Sequence, residues 1–121
     1  MRVDRLGELE AFVTKDGSTI RELAGRAIGT SERQSLAEAV VPPGGETEEH
    51  LHRTSEEVYW FVSGAGRMRL EDEESPVAAG DCVVIAPGLR HKLFNDGPEP
   101  LVLMCCCAPP YSHEDTVMTG G

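Results

Sequence analysis

Turn-forming residues cut this chain at close intervals. Asp16-Gly17, Pro42-Pro43-Gly44-Gly45, Gly64-Ala65-Gly66, Gly80-Asp81, Pro87-Gly88 and Asp96-Gly97-Pro98 leave only short apolar runs between them. Thirteen Gly and eight Pro in 121 residues make turns the strongest local signal. Short elements joined by tight turns predict an all-β sandwich or barrel. Strands are expected at Thr19–Leu23, Ser35–Val41, Glu48–Arg53, Glu57–Ser63, Arg67–Leu70, Cys82–Ala86, Arg90–Asn95 and Leu101–Ala108. Arg67–Leu70 alternates charged and apolar residues, as a half-buried strand does. Glu71-Asp72-Glu73-Glu74 reads as a hairpin turn.

At 121 residues one domain is expected, large enough to bury a core without staples. Residues 1–34 read as an N-terminal arm with strands that pack on the barrel, 35–108 as its core, and 109–121 as a C-terminal tail. That tail, polar and proline-rich, either packs across the barrel or hangs free. The first ten residues suit a short helix or a loose arm and carry no apolar stretch, so no signal peptide is expected.

Twenty-one acids against eleven bases give a net charge of −10. Such a chain repels phosphate backbones and anionic lipid surfaces, so neither nucleic acid nor membrane is expected as a partner. The four cysteines, Cys82, Cys105, Cys106 and Cys107, form no disulfide framework and no C-x-x-C pair. Free thiols fit a reducing compartment, and a cytoplasmic location is expected. On a strand, either Cys106 or the pair Cys105 and Cys107 faces inward, with small buried hydrophobes as the default role.

Three of the four histidines fall where metal chemistry is plausible. His50 and His52 share one face of a strand. Glu57 lies beyond the polar Arg53-Thr54-Ser55-Glu56 and is placed to return opposite them. His91 arrives from a distant strand. Three imidazole nitrogens and one carboxylate oxygen suit a divalent transition ion: Fe, Mn, Zn, Ni, Co or Cu. His113 sits alone in the tail and is expected to face solvent.

The punctuation around these residues is similar to a known pattern. Gly44, five residues, His50-Leu51-His52, four residues, Glu57, six residues and Gly64 resemble the first motif of the cupin superfamily. Gly80, five residues, Ala86-Pro87-Gly88, two residues, His91, three residues and Asn95 resemble its second motif. Ala86 stands where that motif usually has Pro, a backbone-stiffening position that bears on no ligand. The resemblance runs from about Val40 to Ala108, and the short spacing between motifs resembles the compact single-domain bacterial cupins.

The resemblance implies a cupin double-stranded β-helix, a jelly-roll-like conical barrel. It implies one metal ion on His50, His52, Glu57 and His91, with about two positions left for water or substrate. Cupins include dioxygenases, decarboxylases, isomerases, epimerases, sugar-binding regulators and storage proteins, and the fold does not choose among them. The expectation here is a metalloenzyme of dioxygenase, decarboxylase or isomerase type acting on a small polar chelating molecule. The alternative is a metal-dependent binding or sensing module without turnover. No dedicated general base stands out beside the ligands.

If Glu57 faces inward, so do Tyr59 and Phe61, and Tyr59 becomes the candidate catalytic donor. The rival role for Tyr59 is a barrel-filling ring whose hydroxyl finds a backbone partner. Met68 and Leu93 should join the lining, and Asn95 should close a turn. Three neutral imidazoles and one carboxylate leave a divalent ion with a local charge near +1. With no Lys or Arg at an inward motif position, a small carboxylate, enol or diketone is expected on the ion and a sugar phosphate is not. Trp60 should point outward, toward the other sheet edge or a partner subunit, and a homodimer is expected.

Overall fold

The computed structural model describes residues 1–121 as eleven strands and one 3-10 turn at Leu6–Glu8. In chain order these are β1 (Phe12–Val13), β2 (Thr19–Ala24), β3 (Ser35–Val41), β4 (His50–His52), β5 (Glu56–Ser63) and β6 (Ala65–Leu70). Then come β7 (Glu73–Ala78), β8 (Cys82–Ile85), β9 (His91–Phe94), β10 (Leu101–Ala108) and β11 (Thr116–Met118). They form two sheets, ordered β1-β2-β3-β10-β5-β8 and β11-β4-β9-β6-β7, and every pairing is antiparallel. This is the all-β, two-sheet barrel expected from the turns.

The period of two sorts each strand into an inner and an outer face. On β5, Glu57, Tyr59 and Phe61 are buried while Trp60 and Val62 are exposed. On β10 the inward set is Leu101, Leu103, Cys105 and Cys107, so the outer cysteine of the run is Cys106. Register then grades the interior. Leu103 lies beside Ala39 and Phe61, Cys105 beside Ala37 and Tyr59, and Cys107 beside Ser35 and Glu57. The end built on Phe61, Leu101, Leu103, Met68 and Val77 is apolar and fully packed. The opposite end carries Glu57 and the three inner histidines.

Two segments differ from the expected reading. The hairpin turn is only Glu71-Asp72, with Glu71 at φ 53°, and Glu73-Glu74 already belong to β7. β7 is an edge strand that buries Val77 alone, so its acids and Pro76 face water, where neither costs a ladder bond. The turn before β6 is also shorter than expected, because Ala65 and Gly66 are already paired. Gly64 makes that turn at φ 83°, and the Pro100 carbonyl occupies the place a Cβ would take.

The tail is packed on the barrel. β11 pairs with β4, placing Thr116 opposite His52 and Met118 opposite His50. Asp115 fastens it: its carboxylate accepts from Thr54 N (2.9 Å), Thr54 Oγ1 (2.8 Å) and Ser55 N (3.1 Å). Asn95 closes a second long connection, donating through Nδ2 to the Val41 and Glu99 carbonyls and accepting from Gly97 N.

Burial raises the Asp115 carboxyl, but the bonds from Thr54 and Ser55 outweigh it and hold it below its ordinary 3.8. A lowered carboxyl stabilises the fold above its unfolded value and loses that contribution as pH falls through the folded one. Asp115→Ala should therefore destabilise by about 1–2 kcal/mol near neutrality. In urea denaturation, the gap between variant and wild type should close as pH drops below about 4. A gap that widens in acid would contradict the clamp.

Candidate metal centre

Four residues predicted from the sequence meet at the polar end of the barrel. His50 and His52 come from β4, His91 from the neighbouring β9, and Glu57 from the facing sheet on β5. His50 and His91 are direct cross-strand partners. All four side chains are buried, and one ligand atom from each lies within 4.8 Å of every other. Glu57 Oε1 stands 3.1 Å from His52 Nε2 and 3.3 Å from His91 Nε2. Two ligands about 2.1 Å from one ion and at right angles lie roughly 3 Å apart, so these spacings suit a shared ion.

The surrounding bonds determine which ring nitrogen carries the proton. His50 Nδ1 lies 2.9 Å from the Glu48 carbonyl and His91 Nδ1 2.9 Å from the Leu89 carbonyl. A carbonyl only accepts, so in both rings Nδ1 carries the hydrogen and Nε2 presents a lone pair. His52 needs one further step. The Thr116 hydroxyl donates to the Ser112 carbonyl at 2.8 Å, so its oxygen accepts from His52 Nδ1 at 3.1 Å. Three Nε2 lone pairs therefore converge on a carboxylate oxygen with no hydrogen of their own between them. His91 Nε2 is buried with no hydrogen-bond partner at all. Such a group needs a cation at its centre, either added protons or a metal ion. The donor set fits a transition ion, and the buried His/Glu cluster could hold one.

Burial pushes the Glu57 carboxyl up, but hydrogen bonds and positive charge from His52 and His91 pull it far below the usual carboxylate range, which describes the proton-bearing form of the cluster; a metal ion would supply that positive charge in place of the protons. Burial, then His91, lowers His50, which favours its neutral, ligating form. Burial raises the Cys105 and Cys107 thiols, and Glu57 raises them further. Cys107 uses its hydrogen on Glu57, donating to Oε2 at 3.1 Å and leaving Oε1 turned to the imidazoles.

A cavity opens beside the histidines, with about 40 Å³ of space for the centres of water molecules. That is room for roughly three waters. Tyr59, Leu93, Leu103 and Cys105 line it, and no Lys or Arg does. Phe61 and Met68, expected as lining, are buried beneath it. No protein hydrogen bond reaches the Tyr59 hydroxyl. Burial, then Glu57, raises that phenol well above its ordinary value, so it stays a neutral donor. His113 is exposed, 3.3 Å from the Tyr111 hydroxyl.

Sequence reasoning missed the contribution of both ends of the chain. Thr14, Asp16 and Ser18 reach the cavity from the N-terminal side, and Tyr111 and Thr116 from the tail. None lies in a recognisable motif, and Asp16-Gly17 reads only as a turn. Their placement follows from long-range contacts such as Glu48 N to the Asp16 carbonyl, 2.8 Å, and Arg53 N to the Asp115 carbonyl, 2.9 Å.

Residues 37–107 match the family model of the cupin domain. The chain belongs to the cupin family. A protein of Methanocaldococcus jannaschii, MJ1618, itself uncharacterised, is 49% identical over 90% of this chain and 87% of its own. Among solved structures, Streptomyces Pac13, a nucleoside dehydratase, superposes with a TM-score of 0.80 at 21% identity, covering 99% of this chain and 92% of that one. A predicted oxalate decarboxylase of Thermotoga maritima gives 0.76 at 22% identity over 89% and 99%. An uncharacterised Klebsiella pneumoniae protein with a double-stranded β-helix domain gives 0.79 at 18% identity over 100% and 99%, and that shared fold is the one the motifs imply.

Thr116 is the partner that orients His52. Thr116→Val keeps the shape and removes the acceptor. It should weaken metal affinity about tenfold to a hundredfold in a chelator competition. An unchanged affinity would contradict the tautomer assignment.

Proposed function

We propose that this cupin is a metalloenzyme holding one divalent transition ion on His50, His52, Glu57 and His91. Its substrate is a small polar molecule that chelates the ion through oxygen, such as a carboxylate, enol or diketone. The observation that carries the proposal is the meeting of three buried imidazoles and the Glu57 carboxylate with their ligand atoms within 4.8 Å of one another, each imidazole Nδ1 being already committed to an oxygen outside the cluster. A bound ion would act as a Lewis acid on a substrate oxygen or as a site for O₂. Turnover is of dioxygenase, decarboxylase or isomerase type. The named activities of two neighbours in fold, a nucleoside dehydratase and a predicted oxalate decarboxylase, support an enzyme reading.

The protein's own groups supply the rest. The four residues would hold the ion beside the cavity. Leu93 from one sheet and Leu103 from the other line the cavity with apolar surface. Tyr59, neutral and without a protein partner, donates a hydrogen bond to a substrate oxygen. Cys107 orients Glu57 and takes no part as a ligand.

Protein purified without added metal should contain about one transition ion per chain, lost on chelation. His50→Ala and His91→Ala should each abolish binding while the barrel still folds. Elemental analysis reads the stoichiometry, and an O₂-uptake screen over small carboxylates, catechols, thiols and 1,3-diketones reads the dioxygenase branch. Full occupancy in both variants would overturn the assignment.

The homodimer is also proposed. On the outer face of the larger sheet, Leu36, Cys106, Val58 and Val84 lie side by side across four strands. Met104, Trp60 and Cys82 form the next row, and Trp60 is 50% exposed. A continuous apolar face on a chain of net charge −10 suits a second copy of itself. Light scattering at micromolar concentration should give twice the chain mass, and Trp60→Lys should give the monomer. A wild-type monomer would contradict it.

A further inference from the structure

The N-terminal loop brings a second carboxylate to the cavity, and its two oxygens do different work. Asp16 Oδ1 accepts three hydrogen bonds, from Thr14 Oγ1 (2.7 Å), Ser18 N (2.9 Å) and Ser18 Oγ (2.6 Å). Oδ2 accepts none from the protein and stands 3.8 Å from His50 Nε2. The Asp16 side chain is only 13% exposed.

The backbone holds it there. Glu48 N donates to the Asp16 carbonyl at 2.8 Å, two residues before His50. The adjacent Lys15 spends its ammonium on the carbonyls of His113 (3.1 Å) and Thr116 (3.0 Å), tying the loop to the tail. Lys15 makes no ion pair with Asp16, and no Lys or Arg lines the cavity.

His50 Nε2 and Asp16 Oδ2 are both acceptors. Their separation exceeds the roughly 2.7–3.2 Å of a direct hydrogen bond, yet it is short enough for one ligand atom to neighbour both. With the His50 lone pair committed to the ion, an atom bound beside His50 meets the negative charge of Asp16 Oδ2 on that side. A hydroxyl satisfies this position by donating, and a second carboxylate oxygen is repelled. Asp16 also alters the charge expected from the motif residues alone. A divalent ion with Glu57 and Asp16 sums to about zero, so the cavity has no strong pull on a dianion.

We propose that Asp16 is the residue that reads the ligand. It selects molecules that chelate through one carboxylate or carbonyl oxygen and one hydroxyl, the α-hydroxy acid or hydroxycarbonyl class, over dicarboxylates such as oxalate. The inference rests on the metal-centre reading above and deepens it.

Asp16→Asn separates the two roles of the side chain. An amide oxygen at the Oδ1 position keeps all three structural bonds, and an amide nitrogen replaces the free oxygen. Cobalt(II)-loaded wild type and variant are titrated calorimetrically with glycolate and with oxalate, two chelators of nearly equal size. Metal content is measured first, and its absence from wild type would defeat the metal centre itself rather than the role of Asp16. In the variant the ratio of the oxalate to the glycolate Kd should fall at least tenfold, with metal content unchanged. Asp16→Ser, which removes the charge and leaves a small side chain, should shift the ratio the same way. An unchanged ratio, loss of metal from Asp16→Asn, or failure of both acids to bind the loaded wild type would overturn the proposal.

Discussion

Three imidazole lone pairs and a carboxylate are forced together at the buried polar end of the barrel, and the rest of the structure is arranged around that conflict. None of the four groups can satisfy another, because each ring has its hydrogen directed away. The Glu48 and Leu89 carbonyls and the Thr116 hydroxyl hold the rings by their far nitrogens, and Cys107 holds the carboxylate by its far oxygen. Orientation is thus fixed from outside the cluster, which leaves the near atoms free for a cation. The fold follows the same logic. Glu57 comes from one sheet and the histidines from the other, so a central charge would fasten the two sheets at the end that lacks an apolar core.

The two chain termini complete what the motif strands begin. The matched domain, residues 37–107, contains all four candidate ligands. It lacks the acceptor for His52, which comes from β11, and the second carboxylate, which comes from the loop before β2. Lys15 joins those two outlying pieces directly through the tail carbonyls. A shared family core can hold the ion, while the less regular ends shape what approaches it. Division of this kind explains how one barrel serves unlike chemistries.

Much of this was legible in the sequence because it rested on local rules. The run Leu101–Ala108 is a strand at its stated bounds, since an apolar stretch between Pro100 and Pro109 has little else to form. The spacing of His50 and His52 placed both rings on one face, and the return after Ser55 brought Glu57 opposite. β7 was hidden because an edge strand may carry acids and Pro76 and still pair through its other side. Asp16 and Thr116 were hidden for another reason. Their positions depend on pairings across 32 or more residues, from Asp16 to Glu48 and from Thr116 to His52, and no local pattern records such contacts. The inward pair of cysteines was one of two stated alternatives, and only the register of β10 against β5 decides between them.

X-ray absorption at the edge of the metal that copurifies with the wild-type protein tests the central claim most directly, because it reports the ligand atoms themselves. The account predicts a shell of nitrogen and oxygen at about 2.0–2.2 Å, with the outer scattering of three imidazole rings. Sulfur at about 2.3 Å would place Cys105 or Cys107 on the ion and contradict the role assigned to the Cys107 hydrogen. A shell without imidazole scattering would contradict the metal centre as a whole.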